Sequence, residues 1–133
     1  MDDYYIISCQ QINHRGGGFL IDIRFRDDGY WLRRQEREDI VDWELFYRLR
    51  LDERQPMTSR QVPVATLAEI VAGLQQVTVP ALPAVGGGFD GTDFTLAIQA
   101  GLNRAVYTWW LDVPAGWQPI ATAWQALVAL SQD

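Results

Sequence analysis

The sequence predicts an α+β fold, in which about six antiparallel strands in the order ββββαββα carry two helices on one face of the sheet. Apolar and polar side chains alternate over residues 19–26, as they do in a half-buried strand. From Leu67 and again from Ile120, apolar residues instead recur at helical spacing. Packing two helices on one face of an antiparallel sheet is the simplest way to bury both patterns.

The first three strands follow from apolar runs and a turn signal. Residues 4–9 predict a strand and residues 13–18 a glycine-rich loop, after which residues 19–26 form the second strand. Asp28-Gly29 is typical of a type I′ hairpin turn, which needs positive φ at both central residues. That turn predicts a register in which Phe25 lies opposite Leu32 and Arg24 opposite Arg33.

Residues 43–52 alternate again, and they predict the fourth strand. The inward positions of this pattern would be Trp43, Leu45, Tyr47, Leu49 and Leu51. The acidic and basic residues 37–39 would then form the connection that precedes the strand.

The second half of the chain predicts a helix, a hairpin and a final helix. Thr66 and Glu69 have the spacing of a capping box, so a helix would begin there and run to about Val77. Residues 94–98 and 104–111 predict two strands joined by a turn over residues 100–103. Pro119 suits the first turn of the last helix. The apolar stripe of this helix would consist of Ile120, Trp124, Leu127 and Val128.

Composition excludes several classes of chemistry. The 133 residues suit a single domain spanning 1–133, with a net charge of -6, 11 Arg, no Lys, one Cys and one His. A Cys₄ or Cys₂His₂ zinc site, an internal disulfide, Schiff-base chemistry and a P-loop all need residues that are absent. We therefore expect neither metal nor cofactor. The acidic start of the chain and the interrupted, uncharged residues 113–132 predict a cytoplasmic protein with no membrane contact.

The most reactive side chains do not form a convincing catalytic group. Cys9 is predicted within a strand, whereas a nucleophilic thiol usually lies at a helix N-terminus, so a Cys9–His14 dyad is disfavoured. The glycine runs at 16–18 and 86–88 precede strands and lack a following Lys, unlike phosphate loops. We expect no catalytic residues, and an enzyme is the less favoured class.

An arginine cluster is the first candidate site. The predicted hairpin places Arg24, Arg26 and Arg33 on the outer face of the sheet beside Trp31, where facing arginines need neutralising. A bound anion is one possibility. The other is internal pairing, with Asp22, Glu44 and Asp52 on the same face. The acidic net charge argues against nucleic acid as a partner.

The second candidate is a partner-binding surface in the C-terminal part. The first 60 residues contain 12 acids and 10 Arg, whereas the remaining 73 contain five acids and only Arg104. Aromatic side chains on uncharged surfaces are typical of interfaces. The predicted contact residues are Trp110, Trp117, Ala121, Gln125 and Ala129. A second protein chain would cover this surface, and a two-fold homodimer is the commonest such arrangement.

The C-terminal third also carries a resemblance. The pattern Leu96-x-Ile98, Tyr107-x-Trp109-Trp110 and Pro114-x-x-Trp117-x-Pro119, followed by a leucine-rich helix, resembles small bacterial proteins of unknown function. The motif consists of hydrophobic positions, so the resemblance implies no activity and no residue roles. From composition we expect an acidic, tryptophan-rich protein-interaction domain, similar to immunity proteins or secretion chaperones. The alternative is a ligand-binding or enzymatic domain with a pocket lined by Trp and Arg.

Overall fold

The computed structural model describes residues 4–37, 48–79 and 91–132, which form one six-stranded antiparallel sheet and two helices. The strands are β1 (Tyr5–Asn13), β2 (Gly18–Arg26), β3 (Gly29–Glu36), β4 (Thr58–Val62), β5 (Thr92–Ala100) and β6 (Asn103–Trp110). The helices are α1 (Val64–Gln75) and α2 (Gln118–Gln132). The spatial order is β4-β3-β2-β1-β5-β6, and the predicted α+β class is confirmed.

One face of the sheet, which we call the helix face, builds the main hydrophobic core. The alternation in β2 directs Phe19, Ile21 and Ile23 to this face, where they join the core formed with the helices. Burying each large aliphatic side chain contributes about 1.5–3 kcal/mol. The fully buried members of this core include Ile7, Ile21, Ile23, Leu32, Leu67, Leu96, Ile120 and Leu127.

Helix α2 buries the predicted stripe together with one neighbour. Ile120, Trp124 and Leu127 are buried, as expected, and Val128 packs against the same core. The predicted outward position of Ala121 is wrong, because this side chain is only 7% exposed and belongs to the core. Since α2 packs against α1 as well as against the sheet, its buried arc is wider than a single stripe.

The β2–β3 hairpin turns one residue earlier than the sequence predicts, so each residue of β2 lies opposite a residue of β3 that is two positions earlier than predicted. Asp27, with a φ of 57°, and Asp28 form the turn, so that Phe25 lies opposite Tyr30 and Arg24 opposite Trp31. Gly29 lies inside β3, where a Cβ would approach the side-chain nitrogen of Gln61 to 2.3 Å. The glycine therefore marks a close contact with the neighbouring strand, and the predicted register is wrong.

Helix α1 begins before the predicted capping box. Its first residue is Val64 and its last is Gln75, whereas a start at Thr66 and an end near Val77 were expected. Pro63 precedes the helix without a side-chain cap, and its carbonyl accepts a hydrogen bond from the Leu67 N–H at 3.2 Å. A proline lacks an N–H to satisfy and fixes φ near its helical value, so it can start the helix without Thr66.

The fourth strand is also misplaced by the sequence pattern. Residues 48–52 are not a strand, and residues 43–47 of the prediction lie outside the described residues. Leu49 adopts a φ of 55° and packs with Leu20 and Ala97 on the face of the sheet that carries no helix. The alternation of Leu49 and Leu51 thus reflects packing of an irregular segment, while β4 takes the edge position beside β3.

The β5–β6 hairpin agrees with its prediction. Ala100 pairs with Asn103, which leaves Gly101 and Leu102 as a two-residue loop. Gly101 has a φ of 61° at the first central position, which L side chains rarely adopt. The hairpin places β6 at the edge of the sheet, opposite to the edge formed by β4.

Candidate interaction surfaces

The face of the sheet opposite the helices, which we call the far face, is built around a buried carboxylate. Asp22 is 2% exposed and accepts hydrogen bonds from two arginines. Arg24 binds it with Nε at 2.9 Å and Nη2 at 3.0 Å, and Arg33 with Nη2 at 3.1 Å. Arg33 also contacts Glu53 through Nη1 at 3.2 Å. The two cations together compensate the desolvation of Asp22.

The observed register explains how the arginine cluster is accommodated. Arg33 lies opposite Asp22 and Arg24 opposite Trp31, so the predicted facing of the two arginines does not occur. Of the two interpretations open from the sequence, the contacts of Asp22 match internal pairing. Arg26 is exposed at the end of β2, and Trp31 is half-buried. Among the described contacts, the hydrogen bonds to Asp22 come from Arg24 and Arg33 and not from these two members of the predicted patch.

An irregular segment, residues 48–55, is fastened to the far face by side-chain hydrogen bonds. The Gln35 amide donates to the carbonyl of Asp52 at 2.6 Å, and its oxygen accepts from the Asp52 N–H at 2.8 Å. Arg37 donates to the Gln10 side chain at 3.3 Å and to the carbonyl of Arg50. Burial lowers the pKa of Arg37, an effect opposed by the charge of Asp52. The polar groups of this face are therefore used to hold the segment.

Two arginines on the helix face stabilise the end of α2. The last turn of α2 contains no basic residue of its own. Arg60 donates to the carbonyl of Leu130 at 3.2 Å, and Arg34 donates to the Ser131 hydroxyl at 2.8 Å. Cations at a helix C-terminus satisfy free carbonyls and favour the helix dipole. The arginines of β3 and β4 thus compensate for the uncharged sequence of α2.

The structure keeps Cys9 and His14 in different environments. Cys9 lies in the core of the helix face, and burial raises the pKa of its thiol far above the usual range. His14 lies in the exposed β1–β2 connection, where its Nε2 is 2.8 Å from Oδ2 of Asp93. A buried neutral thiol is a poor nucleophile. Among the described residues, no group of three or more His, Cys, Asp and Glu could hold a metal ion.

The outer surface of the two helices, which we call the helix layer, is almost free of charge. Within the bounds of α1 and α2, Glu69 is the only charged residue. Gln125 and Ala129 are exposed on α2, as the sequence predicts for a partner-binding surface. The exposed residues of α2 are Gln118, Pro119, Thr122, Gln125, Ala129 and Gln132.

The tryptophans named as contact residues are mostly covered by the chain itself. Trp117 is buried, and its ring meets that of Tyr107 edge-on at 5.5 Å. Trp110 is half-buried at the end of β6, where its indole packs on Gly91, and a Cβ at Gly91 would lie 2.6 Å from the indole nitrogen. Trp117 therefore contributes to the core. Of these two tryptophans, only Trp110 is partly accessible, at the edge of the far face.

Sequence reasoning missed the exposed apolar residues of the last hairpin. Leu102 is fully exposed in the loop, Val106 is 50% exposed in β6, and Leu111 is 46% exposed just after it. The sequence did contain a signal for an exposed apolar surface, because Val106 and Thr108 lie on the outward side of a strand whose only charge is Arg104. What the sequence lacked was the position of β6 at an edge of the sheet.

Comparison with known proteins supplies no relative. No family model matches the chain, and neither a curated protein nor a solved structure does. Within the part of the chain that the structure describes, the helices are too short or too polar to cross a membrane.

Proposed function

We propose that this protein is an interaction domain whose docking surface for another protein chain is the helix layer. The observation that carries the proposal is the lack of charge on that layer. The outer positions of α2 are amides, hydroxyls and small apolar groups, where a solvated helix usually carries acids and bases.

A neutral surface favours protein contacts because docking removes few charges from water. Desolvating an unpaired ion costs several kcal/mol, and the cores of protein interfaces are depleted in charged residues. Gln125 and Ala129 lie on the exposed side of α2 and offer small or hydrogen-bonding contacts. Glu69 on α1 would lie toward the rim of such an interface.

The arginine contacts favour this function over a ligand pocket. Arg24 and Arg33 are engaged by Asp22, while Arg34 and Arg60 bind the end of α2. An anion at the far face would have to compete with a carboxylate already held by both guanidinium groups. Composition suggests that the domain is of the immunity-protein or secretion-chaperone type, and its partner would be another protein chain or a second copy of this chain.

Site-specific photo-crosslinking tests the proposal. A photoreactive amino acid replaces Gln125 in the full-length protein, expressed in its native cell, and a matched control replaces Asp28 in the exposed β2–β3 turn. We expect a discrete heavier adduct, containing one identifiable protein, only from position 125. The added substitution Ala129→Arg should abolish that adduct without changing the circular dichroism spectrum.

Two outcomes would contradict the proposal. Equal labelling from positions 28 and 125 would indicate random collisions. A discrete adduct that persists in the Ala129→Arg protein would show that the contact at position 125 does not depend on the neutral surface of the helix layer.

A further inference from the structure

In the part of the chain that the structure describes, the outer edge of strand β6 presents a regular set of backbone hydrogen-bonding groups. Among the described residues, β6 pairs with β5 on one side and with no strand on the other. The pairing of Ala100 with Asn103 and the bond from the Leu111 N–H to the Thr92 carbonyl at 2.9 Å direct the odd-numbered residues toward β5. The even-numbered residues Arg104, Val106, Thr108 and Trp110 therefore direct their N–H and C=O groups outward.

The opposite edge of the sheet is protected in a way that β6 is not. Strand β4 has five residues, lies between Pro56 and Pro63, and carries Arg60. Short length, proline and charge are the usual features that prevent an edge strand from pairing with another chain. Strand β6 has eight residues, contains no proline and has its only charge at Arg104. Among the described residues, β6 is therefore the edge of the sheet that lacks these protective features.

We propose that β6 pairs antiparallel with β6 of a second copy of this chain, around a two-fold axis at Tyr107. This inference does not rest on the proposed function, because it uses a different surface. In this register Val106 lies opposite Thr108 of the other copy, and Arg104 lies opposite Trp110. All four outward-directed residues on each strand then exchange backbone hydrogen bonds, which joins the two sheets into one.

The side chains fit a second copy in this register. A two-fold pairing centred on Val106 would leave Trp110 without an opposite residue from the strand. Centring on Tyr107 pairs the only charge of the strand with an aromatic ring at both ends, a cation–π arrangement. No two arginines face each other, and Val106, which is 50% exposed, lies beside Thr108 of the other copy at the middle of the joined strands.

Sedimentation equilibrium of the full-length protein provides the first test. We expect a dimer at tens of micromolar that dissociates in Val106→Pro, because proline removes an outward N–H that β5 does not use. Val106→Thr keeps that N–H and serves as the matched control, which should remain dimeric. Ala129→Arg, on the helix layer, should also remain dimeric, and this separates the inference from the proposed function.

A disulfide test reports the register without relying on proline. Residues directly opposite in a non-hydrogen-bonded antiparallel pair have Cα atoms about 4.5 Å apart, within reach of a disulfide. Tyr107 would face its own copy in such a pair, so Tyr107→Cys should form a disulfide-linked dimer under mild oxidation. Arg104→Cys places the thiols at opposite ends of the joined strands and should not. The native Cys9 is buried, 1% exposed, and does not interfere.

The inference is overturned by a wild-type monomer at tens of micromolar. A folded Val106→Pro protein that still dimerises would overturn it as well, and so would equal cross-linking of the two cysteine variants. Loss of the dimer in Ala129→Arg, but not in Val106→Pro, would place self-association on the helix layer instead.

Discussion

The two faces of this sheet bury different kinds of side chain, and they are stabilised in different ways. On the helix face, Ile21, Leu96 and Leu127 exclude water by packing alone. On the far face, Asp22 and Gln35 are buried just as deeply, but each is held by several hydrogen bonds. The burial of these polar groups depends on pairing, so removing one partner leaves another group unsatisfied.

The arginines of the two faces also differ in the groups that they bind. On the far face, Arg24 and Arg33 pair with Asp22, and Arg33 also pairs with Glu53. On the helix face, Arg34 and Arg60 bind the C-terminal end of α2. Because β3 and β4 supply the cations at the C-terminal end of α2, the helix needs no basic residue of its own there. The sequence asymmetry between a charge-rich first part and a charge-poor second part therefore becomes a division between strands β2–β4 and the two helices.

The largest expected effect is on the helix face, where packing is the whole contribution. Leu127 is completely buried between α2 and the sheet, so Leu127→Ala removes apolar contacts and leaves a cavity. We expect a loss of about 2–5 kcal/mol in the free energy of unfolding, measured by urea denaturation. Leu102→Ala, at a fully exposed position, is the control and should change the free energy by less than about 0.5 kcal/mol. Similar losses for both would refute the core assignment of α2.

A smaller effect is expected on the far face. Asp22→Asn keeps the shape of the side chain but removes the charge that Arg24 and Arg33 share. We expect a loss of about 1–3 kcal/mol, because hydrogen bonds to charged groups contribute about that amount and Arg24 is partly screened by solvent. Asp28→Asn, in the exposed turn, is the matched control. An unchanged unfolding midpoint for Asp22→Asn would mean that pairing does not stabilise this face.

Periodic patterns over long elements predicted the fold class correctly. The alternation of residues 19–26 identified both faces of β2, and the spacing of Ile120, Trp124 and Leu127 identified the buried side of α2. These patterns succeed because a two-residue or 3.6-residue period arises directly from backbone geometry. Neither the structure nor the comparisons test the single-domain, cytoplasmic or homodimer expectations, and they stay predictions.

Local sequence patterns gave wrong predictions where a tertiary contact, and not the local structure, explains the residue. Asp28-Gly29 has the residues of a turn, but Gly29 is the first residue of β3 and lies close to the side chain of Gln61 on β4. Leu49 belongs to an alternating pattern, but it packs as part of an irregular segment against Leu20. Ala121 was expected to be exposed, but it belongs to the hydrophobic core, because the buried side of α2 is wider than the stripe that the spacing predicts. The exposure of Gln125 and Ala129 on the helix layer could be predicted from the sequence, whereas the edge position of β6 in the sheet could not.

The smallest effect concerns Asp52, in the segment that is fastened to the far face. Hydrogen bonds from the Arg54 side chain and backbone N–H lower the pKa of this carboxyl, with the charges of Arg54 and Arg37 acting in the same direction. A pKa that is lower in the folded state than in the unfolded state stabilises the fold above the unfolded pKa. This contribution is lost as the pH falls through the folded pKa.

Because Asp52 is in contact with solvent, we expect a clear change in titration and little change in stability. A carbon-detected NMR titration should give a midpoint for Asp52 below that of an ordinary aspartate, and Arg54→Gln should raise it. Arg104→Gln, on β6, is the control and should leave it unchanged, while an unchanged midpoint in Arg54→Gln would show that Arg54 does not hold the carboxylate in solution.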